Sequence, residues 1–504
     1  MHEDISPALS NYYIGYDIGS SSVKVSLVHA ESGESIITIH EPENEMDISS
    51  PEAGWAEQGP EEWWTNLCLA TRRVIQESGI NADQITGIGI AYQMHGLVIV
   101  DREGTPLRKS IIWCDSRAVE IGEQAFYEIG EEQCRTHLLN SPGNFTVSKL
   151  KWVMENEPDI YKRTYKFMLP GDYIAFKLTG KINTTINGLS EAILWDFRKN
   201  KVADWLFDYL ELDKSLIPDI VENFTNQGKT HKQASQETGL PKGIPVVYRA
   251  GDQPNNALSL NILKPGEVAV SGGTSGVIYA VTDLPESKEI SRINSFVHVN
   301  YSRQHTNIGK LLCINGCGIM YRWLKSNLGV RSYGEMNELA SQVSIGSDGL
   351  IIIPFGNGSE RMLDNRDVNA HFLNLDLNRH TRSHLCRAAL EGIAFSFVYG
   401  MEILKNDNTP IEVIRAGNDN LFRSEIFSST IATLIDYKIK IYNTTGSIGA
   451  ARAGFIKERD FEKMEELVMQ NDYVKSYDPV KERKPYLNAY KRWEEALAMI
   501  LNNK

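Results

Sequence analysis

The chain has 504 residues, 42% hydrophobic and 23% charged, with a formal net charge of −13. That length predicts two domains of roughly 250 residues each. The acidic balance excludes a basic nucleic-acid surface, since runs such as Lys481–Lys484 read as solvated surface, and no apolar run approaches a membrane span.

The first legible element is NYYIGYDIGSSSVK, residues 11–24. Tyr13, Ile14 and Tyr16 suit a strand, and Val23, Val25 and Leu27 resume the alternation after a break. Between them lie Asp17, Gly19 and the hydroxyls of Ser20, Ser21 and Ser22. The pattern predicts a β-hairpin with an acidic, donor-rich tip. Such a tip either holds a metal-bound phosphate or is an ordinary polar turn. Lys24 reads as an exposed face residue.

Residues 59–79 predict a helix started by Pro60, favoured by Glu61 and Glu62 and stopped by Gly79, with Trp63, Leu67, Ala70 and Val74 on one face. A buried strand over 85–91 follows, then helical patterns over 145–155 and 172–178, with Asp172 as an N-cap. Residues 245–249 predict another strand, leading into AGDQPNN. GEVAVSGGTSGVIYAV, residues 266–281, then repeats the opening: strand, Gly/Ser/Thr tip, strand. Two matched hairpins about 250 residues apart predict a duplicated α/β architecture, with the two tips gripping a polyphosphate from both sides. The second half continues with helices over 381–404 and 423–436, a strand in 411–420 ending in a Gly/Asn loop, and a Gly-containing helix start in 444–456. Tyr486, Tyr490, Trp493, Leu497 and Ile500 mark an amphipathic C-terminal helix.

Polar groups collect at two strand ends. Residues 91–118 carry Gln93, Met94 and His95, then Trp113 and Asp115. Hydrogen-bonding groups beside an aromatic face suit a polyol; the alternative is a core histidine and a satisfied Asp115–Arg117 surface pair. Asp252, just past a strand, is placed either to take a proton from a substrate hydroxyl or to cap the next helix, and the two roles are compatible. There is no G-x-x-x-x-G-K-[ST] run and no H-E-x-x-H or G-x-S-x-G element. The six cysteines are scattered, and Cys313 and Cys317 lack the partners of a zinc site. Their usage and the polar N-terminus MHEDISPALS predict a reduced, cytoplasmic protein.

In order along the chain stand YIGYDIGSSSVKVSLV, GWAEQGPEEWW, YQMHGLVIVD, IIWCDSRA, LLNSPGNFTVSKLKWV, LPGDYIAFKLTG, AGDQPNNAL, SGGTSGVIY, AGNDNLFRSEIF and GSIGAARAG. With these in register from Tyr13 to about Gly454, the chain resembles the FGGY carbohydrate kinases, and within them the xylulose kinases. The resemblance implies two ribonuclease H-like, actin-type ATPase domains, 1–258 and 259–504, with a nucleotide cleft between them. It implies ATP and Mg²⁺ as cofactors, a small sugar as substrate, no nucleic-acid or membrane partner, and a homodimer of the kind common in the family. Asp17 corresponds to the catalytic aspartate associated with Mg²⁺, with the contact expected through water. Gly19, Ser20 and Ser21 correspond to the first phosphate hairpin, and Gly273, Thr274 and Ser275 to the second. Gln93, Met94, His95, Trp113, Asp115 and Asp252 correspond to the sugar site, with Asp252 as general base. Gly417 and Asn418 correspond to the adenosine loop. Two departures stand out: Trp113-Cys114-Asp115 where many relatives have Trp-Asn-Asp, and Arg415-Ala416-Gly417-Asn418 where many have Gly-Gly-Gly-Ala. Met94-His95 in place of Arg-Glu argues against glycerol. The expected reaction is phosphorylation of D-xylulose; the alternatives are another ketose, polyol or sugar acid such as L-ribulose or gluconate, and an actin-like ATPase without sugar chemistry.

Overall fold

The computed structural model describes residues 11–456 and 461–502. They form two compact units: unit 1 takes residues 11–261, 296–306 and, of 444–472, those described; unit 2 takes Ile262–Ser295, Asn307–Asn443 and 473–502. The chain first crosses between units at Asn261/Ile262, against an expected 258/259, and two later segments rejoin unit 1.

Unit 1 is built on strands β1 (Tyr12–Ile18), β2 (Val23–His29), β3 (Ser35–Glu41), β4 (Ile85–Tyr92) and β5 (Val246–Gly251), in the order β5-β4-β1-β2-β3. β1, β2 and β3 are antiparallel neighbours, whereas β4 runs parallel to β1 and to β5. Ile14, Tyr16, Ile18, Val23, Val25 and Leu27 are all buried, so the predicted alternation lands on the core. Helix α1 (Pro60–Ser78) covers β2 and β3, has Pro60 at its start and ends at Gly79 with φ 69°, a left-handed conformation that glycine adopts without a Cβ clash.

A seven-residue helix, Gly446–Arg452, lies on the same sheet. A Cβ at Gly15 would stand 2.0 Å from Ser447 O, and one at Gly89 1.9 Å from Ala450 O. Only glycine permits that backbone-to-backbone approach. Buried Arg452 secures the segment, donating from Nε and Nη2 to Gly33 O at 3.0 and 2.8 Å and pairing with Asp472. This is why residues 444–472 belong with unit 1 despite lying far along the chain.

Unit 2 repeats the plan. Its strands β6 (Glu267–Gly272), β7 (Gly276–Thr282), β8 (Ile308–Ile314), β9 (Val413–Gly417), β10 (Ile439–Tyr442) and β11 (Tyr473–Tyr477) run in the order β8-β7-β6-β9-β10-β11. β6, β7 and β8 are antiparallel neighbours, and β9 is parallel to β6 and to β10, as β4 is to β1 and β5. The duplication expected from two hairpins therefore extends to five strands in each unit. The 25-residue helix Arg382–Asn406 runs through the core of unit 2, and the C-terminal helix Lys484–Asn502 closes it with Tyr490, Trp493 and Leu497.

Candidate active site

The parallel strands of unit 1 end together at Ile18, Tyr92 and Gly251, and the candidate residues follow those ends. Asp17 pairs across the hairpin with exposed Lys24, as expected for a face residue. Burial raises the Asp17 carboxyl above its usual range, against the pull of Lys24. The tip closes through Gly19 N donating to Ser22 O at 3.0 Å. Ser20 is held from both sides: its carbonyl accepts from Gln58 Nε2 at 2.6 Å, and Trp113 Nε1 donates to its Oγ at 3.4 Å. A Cβ on Gly446 would stand 2.7 Å from Asp17 Oδ2 and 3.3 Å from Asn256 Oδ1, so this glycine leaves the carboxylate its space. One such carboxylate suits Mg²⁺, which takes few protein ligands and keeps waters and phosphate oxygens. Among the described residues there is no group of three or more His, Cys, Asp or Glu that could hold a metal by itself.

Asp252 is the first residue of the helix Asp252–Ser259, directly after β5. Burial pushes its carboxyl up to about 7, with the Asp17 carboxylate adding to the shift. A base in that range exchanges protons near neutrality. Beside it, buried Met94 packs so closely that a Cβ at Gly251 would stand 2.4 Å from Met94 Cγ. His95 has φ 61°, a left-handed conformation that costs a non-glycine residue about 1–2 kcal/mol. Its carbonyl accepts from Lys149 Nζ at 2.9 Å, its ring packs on Phe145 at 4.7 Å and Phe296 at 5.3 Å, and Nδ1 donates to Glu191 O at 3.0 Å. A carbonyl only accepts, so the proton sits on Nδ1 and neutral His95 has its acceptor at Nε2. Lys149 also donates to Ile112 O at 2.9 Å, tying the His95 turn to the strand before Trp113; burial lowers its ammonium to about 8.

The remaining predicted sugar residues differ in kind. Trp113 is 54% exposed. Gln93 is buried and donates to Gln58 Oε1 at 3.3 Å, linking the turn after β4 to the first tip. Asp115 is neither a surface pair nor open to a ligand. It is 1% exposed, with Oδ2 accepting from Ala56 N at 2.6 Å and Arg117 Nη2 at 2.7 Å, and Oδ1 from Arg117 N at 2.9 Å. Arg117 lies 3.8 Å from the Trp55 ring centroid and pairs with Glu57. Asp172 is likewise not an N-cap. It occupies the third position of the helix Pro170–Thr179, accepts from Leu169 N at 3.3 Å, and pairs with fully buried Arg249 at 3.4 Å.

In unit 2 the second tip, Gly273, Thr274 and Ser275, joins β6 to β7. Gly318 N and Ile319 N donate to Gly273 O and Thr274 O at 3.1 and 3.0 Å, fixing the tip to the helix Gly318–Asn327. A cavity of about 710 Å³ opens beside it, lined among others by Gly273, Thr274, Tyr333, Asn337, Asn420 and Arg423. Tyr333 stacks on Tyr321 with centroids 5.7 Å apart and is 45% exposed. Gly417 and Asn418 do not line this cavity: Gly417 ends β9 and Asn418 N donates to Tyr442 O at 2.8 Å, while Asn420 and Leu421 reach the cavity two residues later. The sequence reading missed Tyr321, Tyr333 and Asn337; two tyrosines twelve residues apart meet only because the chain turns back between the helix Gly318–Asn327 and the helix Tyr333–Ser341. Another cavity, of about 730 Å³, lies at the opposite ends of the unit 1 strands and contains none of the predicted site residues.

The FGGY family of carbohydrate kinases matches the chain twice, its N-terminal domain over residues 12–259 and its C-terminal domain over 268–457. The chain belongs to this family. It is an ATP-dependent carbohydrate kinase, which removes the sugar-free ATPase alternative. It is 28% identical to a xylulose kinase of Staphylococcus xylosus over 465 residues, covering 90% of this chain and 93% of that protein. Among solved structures, it matches a "xyloylose kinase" from Brucella ovis with a TM-score of 0.87 and 25% identity, covering 98% of this chain and 100% of the other. A gluconate kinase from Lactobacillus acidophilus shares the fold, with a TM-score of 0.85 and 20% identity over 98% of each chain. The two-domain fold thus stands, and the fold alone does not choose the sugar. No helix among the described residues is long and apolar enough to cross a membrane.

Proposed function

We propose that this kinase phosphorylates D-xylulose to D-xylulose 5-phosphate, with Asp252 as general base. The observation that carries the reading is the Asp252 carboxyl, raised to about 7 at the end of β5, directly after Gly251, which packs on Met94. The xylulose kinases among the relatives support the choice of sugar. Asp252 takes the proton of the C5 hydroxyl as the new O–P bond forms at the γ-phosphorus. The bond from that phosphorus to the β,γ-bridging oxygen breaks, and ADP leaves. Transfer of this kind needs positioning and charge neutralisation more than covalent help. His95 and Met94 orient the sugar, and the two hairpin tips supply backbone N–H groups to phosphate oxygens. Asp17 would hold Mg²⁺ through water, and the bound ion supplies charge neutralisation at the phosphates. Tyr333 supplies a stacking face for the adenine in unit 2.

A second reading, another ketose or a sugar acid such as gluconate, is favoured by one observation. Asp115 has its oxygens engaged within the protein, so the 113–115 segment offers fewer hydroxyl partners than its residue types suggest. Phosphorus and carbon NMR of the product made from D-xylulose tests the proposal: phosphate on C5 is the expected result, and phosphate elsewhere or no product refutes it.

A further inference from the structure

Glu191 belongs to no motif, yet it stands between the two halves of the sugar site. It ends the helix Ile186–Glu191, is 2% exposed, and its carboxyl has the Tyr92 hydroxyl as a neighbour and no ion-pair partner among the described residues. A Cβ on Gly251, the residue before Asp252, would stand 2.6 Å from Glu191 Oε2 and 3.0 Å from Met94 Sδ. Its own carbonyl accepts the His95 Nδ1 proton at 3.0 Å. One residue therefore touches the backbone that carries the base and the ring expected to orient the sugar.

We propose that Glu191 is a positioning residue of the sugar site, acting as a neutral carboxylic acid wedged behind Gly251 and Met94. The inference rests on the sugar-kinase reading above. A carboxylate with no cation and only a neutral hydroxyl beside it is costly to bury, so the proton stays on. Its surroundings agree. Tyr92 faces it from β4, Asp252 lies beyond Gly251, and Asp172 lies on the same side with Arg249 committed to it. Burial holds the Glu191 carboxyl well above the usual range, and the carboxylates of Asp172 and Asp252 add to the rise. A neutral acid fills the space without placing another negative charge behind a base that must give up its proton.

The test compares wild type, Glu191→Ala and Glu191→Gln in steady-state kinetics and infrared spectra. Glu191→Ala keeps the backbone carbonyl that holds His95 but empties the space behind Gly251 and Met94, and is expected to raise the sugar KM by roughly 10²-fold, while the ATP KM stays within about two-fold. Glu191→Gln keeps shape and neutrality and recovers most of that loss. At neutral pH the difference spectrum between wild type and Glu191→Gln shows the loss of one carbonyl-stretch band of a protonated carboxylic acid. A sugar KM in Glu191→Ala within about two-fold of an active wild type, or an unchanged band in Glu191→Gln, overturns the inference. If Glu191→Ala fails to fold, the Gln spectrum decides. A folded wild type that phosphorylates no sugar at all overturns the kinase reading instead, and is recognised by the silence of the unmutated protein.

Discussion

Replacing Asp252 by Asn removes a proton acceptor and a buried charge, and the two consequences run in opposite directions. As general base, Asp252 is expected to supply about 10²–10⁴-fold in turnover. Wild-type activity should fall as pH drops through about 7, where Asp252 takes up its proton, and Asp252→Asn should lack that acid limb. Stability moves the other way. A carboxyl raised from 3.8 to about 7 contributes stability that is fully present below its unfolded value and is lost as pH rises through its folded value. Three pH units set an upper bound of roughly 4 kcal/mol, and solvent around a half-buried group reduces it to about 1–2 kcal/mol. Asp252→Asn should therefore be more stable than wild type above neutrality, with the difference closing towards pH about 4. Rapid-quench turnover across pH and denaturant unfolding at about pH 8 and about pH 5 measure the two effects. A variant with turnover within a few-fold of wild type that keeps the acid limb would refute the base assignment.

Gly89→Ala should drive a methyl into Ala450 O and cost about 1–3 kcal/mol in denaturant unfolding; an unchanged midpoint contradicts the docking of Gly446–Arg452. Tyr333→Ala should raise the ATP KM roughly ten-fold or more through lost base stacking, leaving the sugar KM in place; a rise in the sugar KM alone would move Tyr333 out of the nucleotide site. Asp115→Asn should destabilise unit 1 by roughly 1–3 kcal/mol, because Arg117 loses one of its two carboxylate partners and keeps Glu57; a variant of normal stability with a raised sugar KM would return Asp115 to the sugar site.

What the sequence disclosed was set by local chemistry. Pro60 and Gly79 bound their helix through backbone constraints that operate within a turn, and the hairpin tips declare themselves because small polar residues interrupt strict alternation. Asp252 was legible for the same reason: a carboxylate at a strand end is conspicuous. The Asp115–Arg117 pair was legible because the two residues are neighbours, but its burial was not, since Ala56 lies 59 residues away; Asp172 was legible as an acid but not as the partner of Arg249, 77 residues on. Glu191 was invisible, because an acid at a helix end looks solvated until the chain buries it. The return of residues 444–472 to unit 1 depended on Gly15 and Gly89, whose lack of side chains matters only once the helix is laid over them.

The most direct test of substrate and mechanism together is ADP release by the purified protein with Mg-ATP, across a panel of pentuloses, hexuloses, glycerol and gluconate. Large, selective stimulation by D-xylulose is the predicted result. Selective stimulation by gluconate or another sugar would contradict the assignment resting on Met94 and His95.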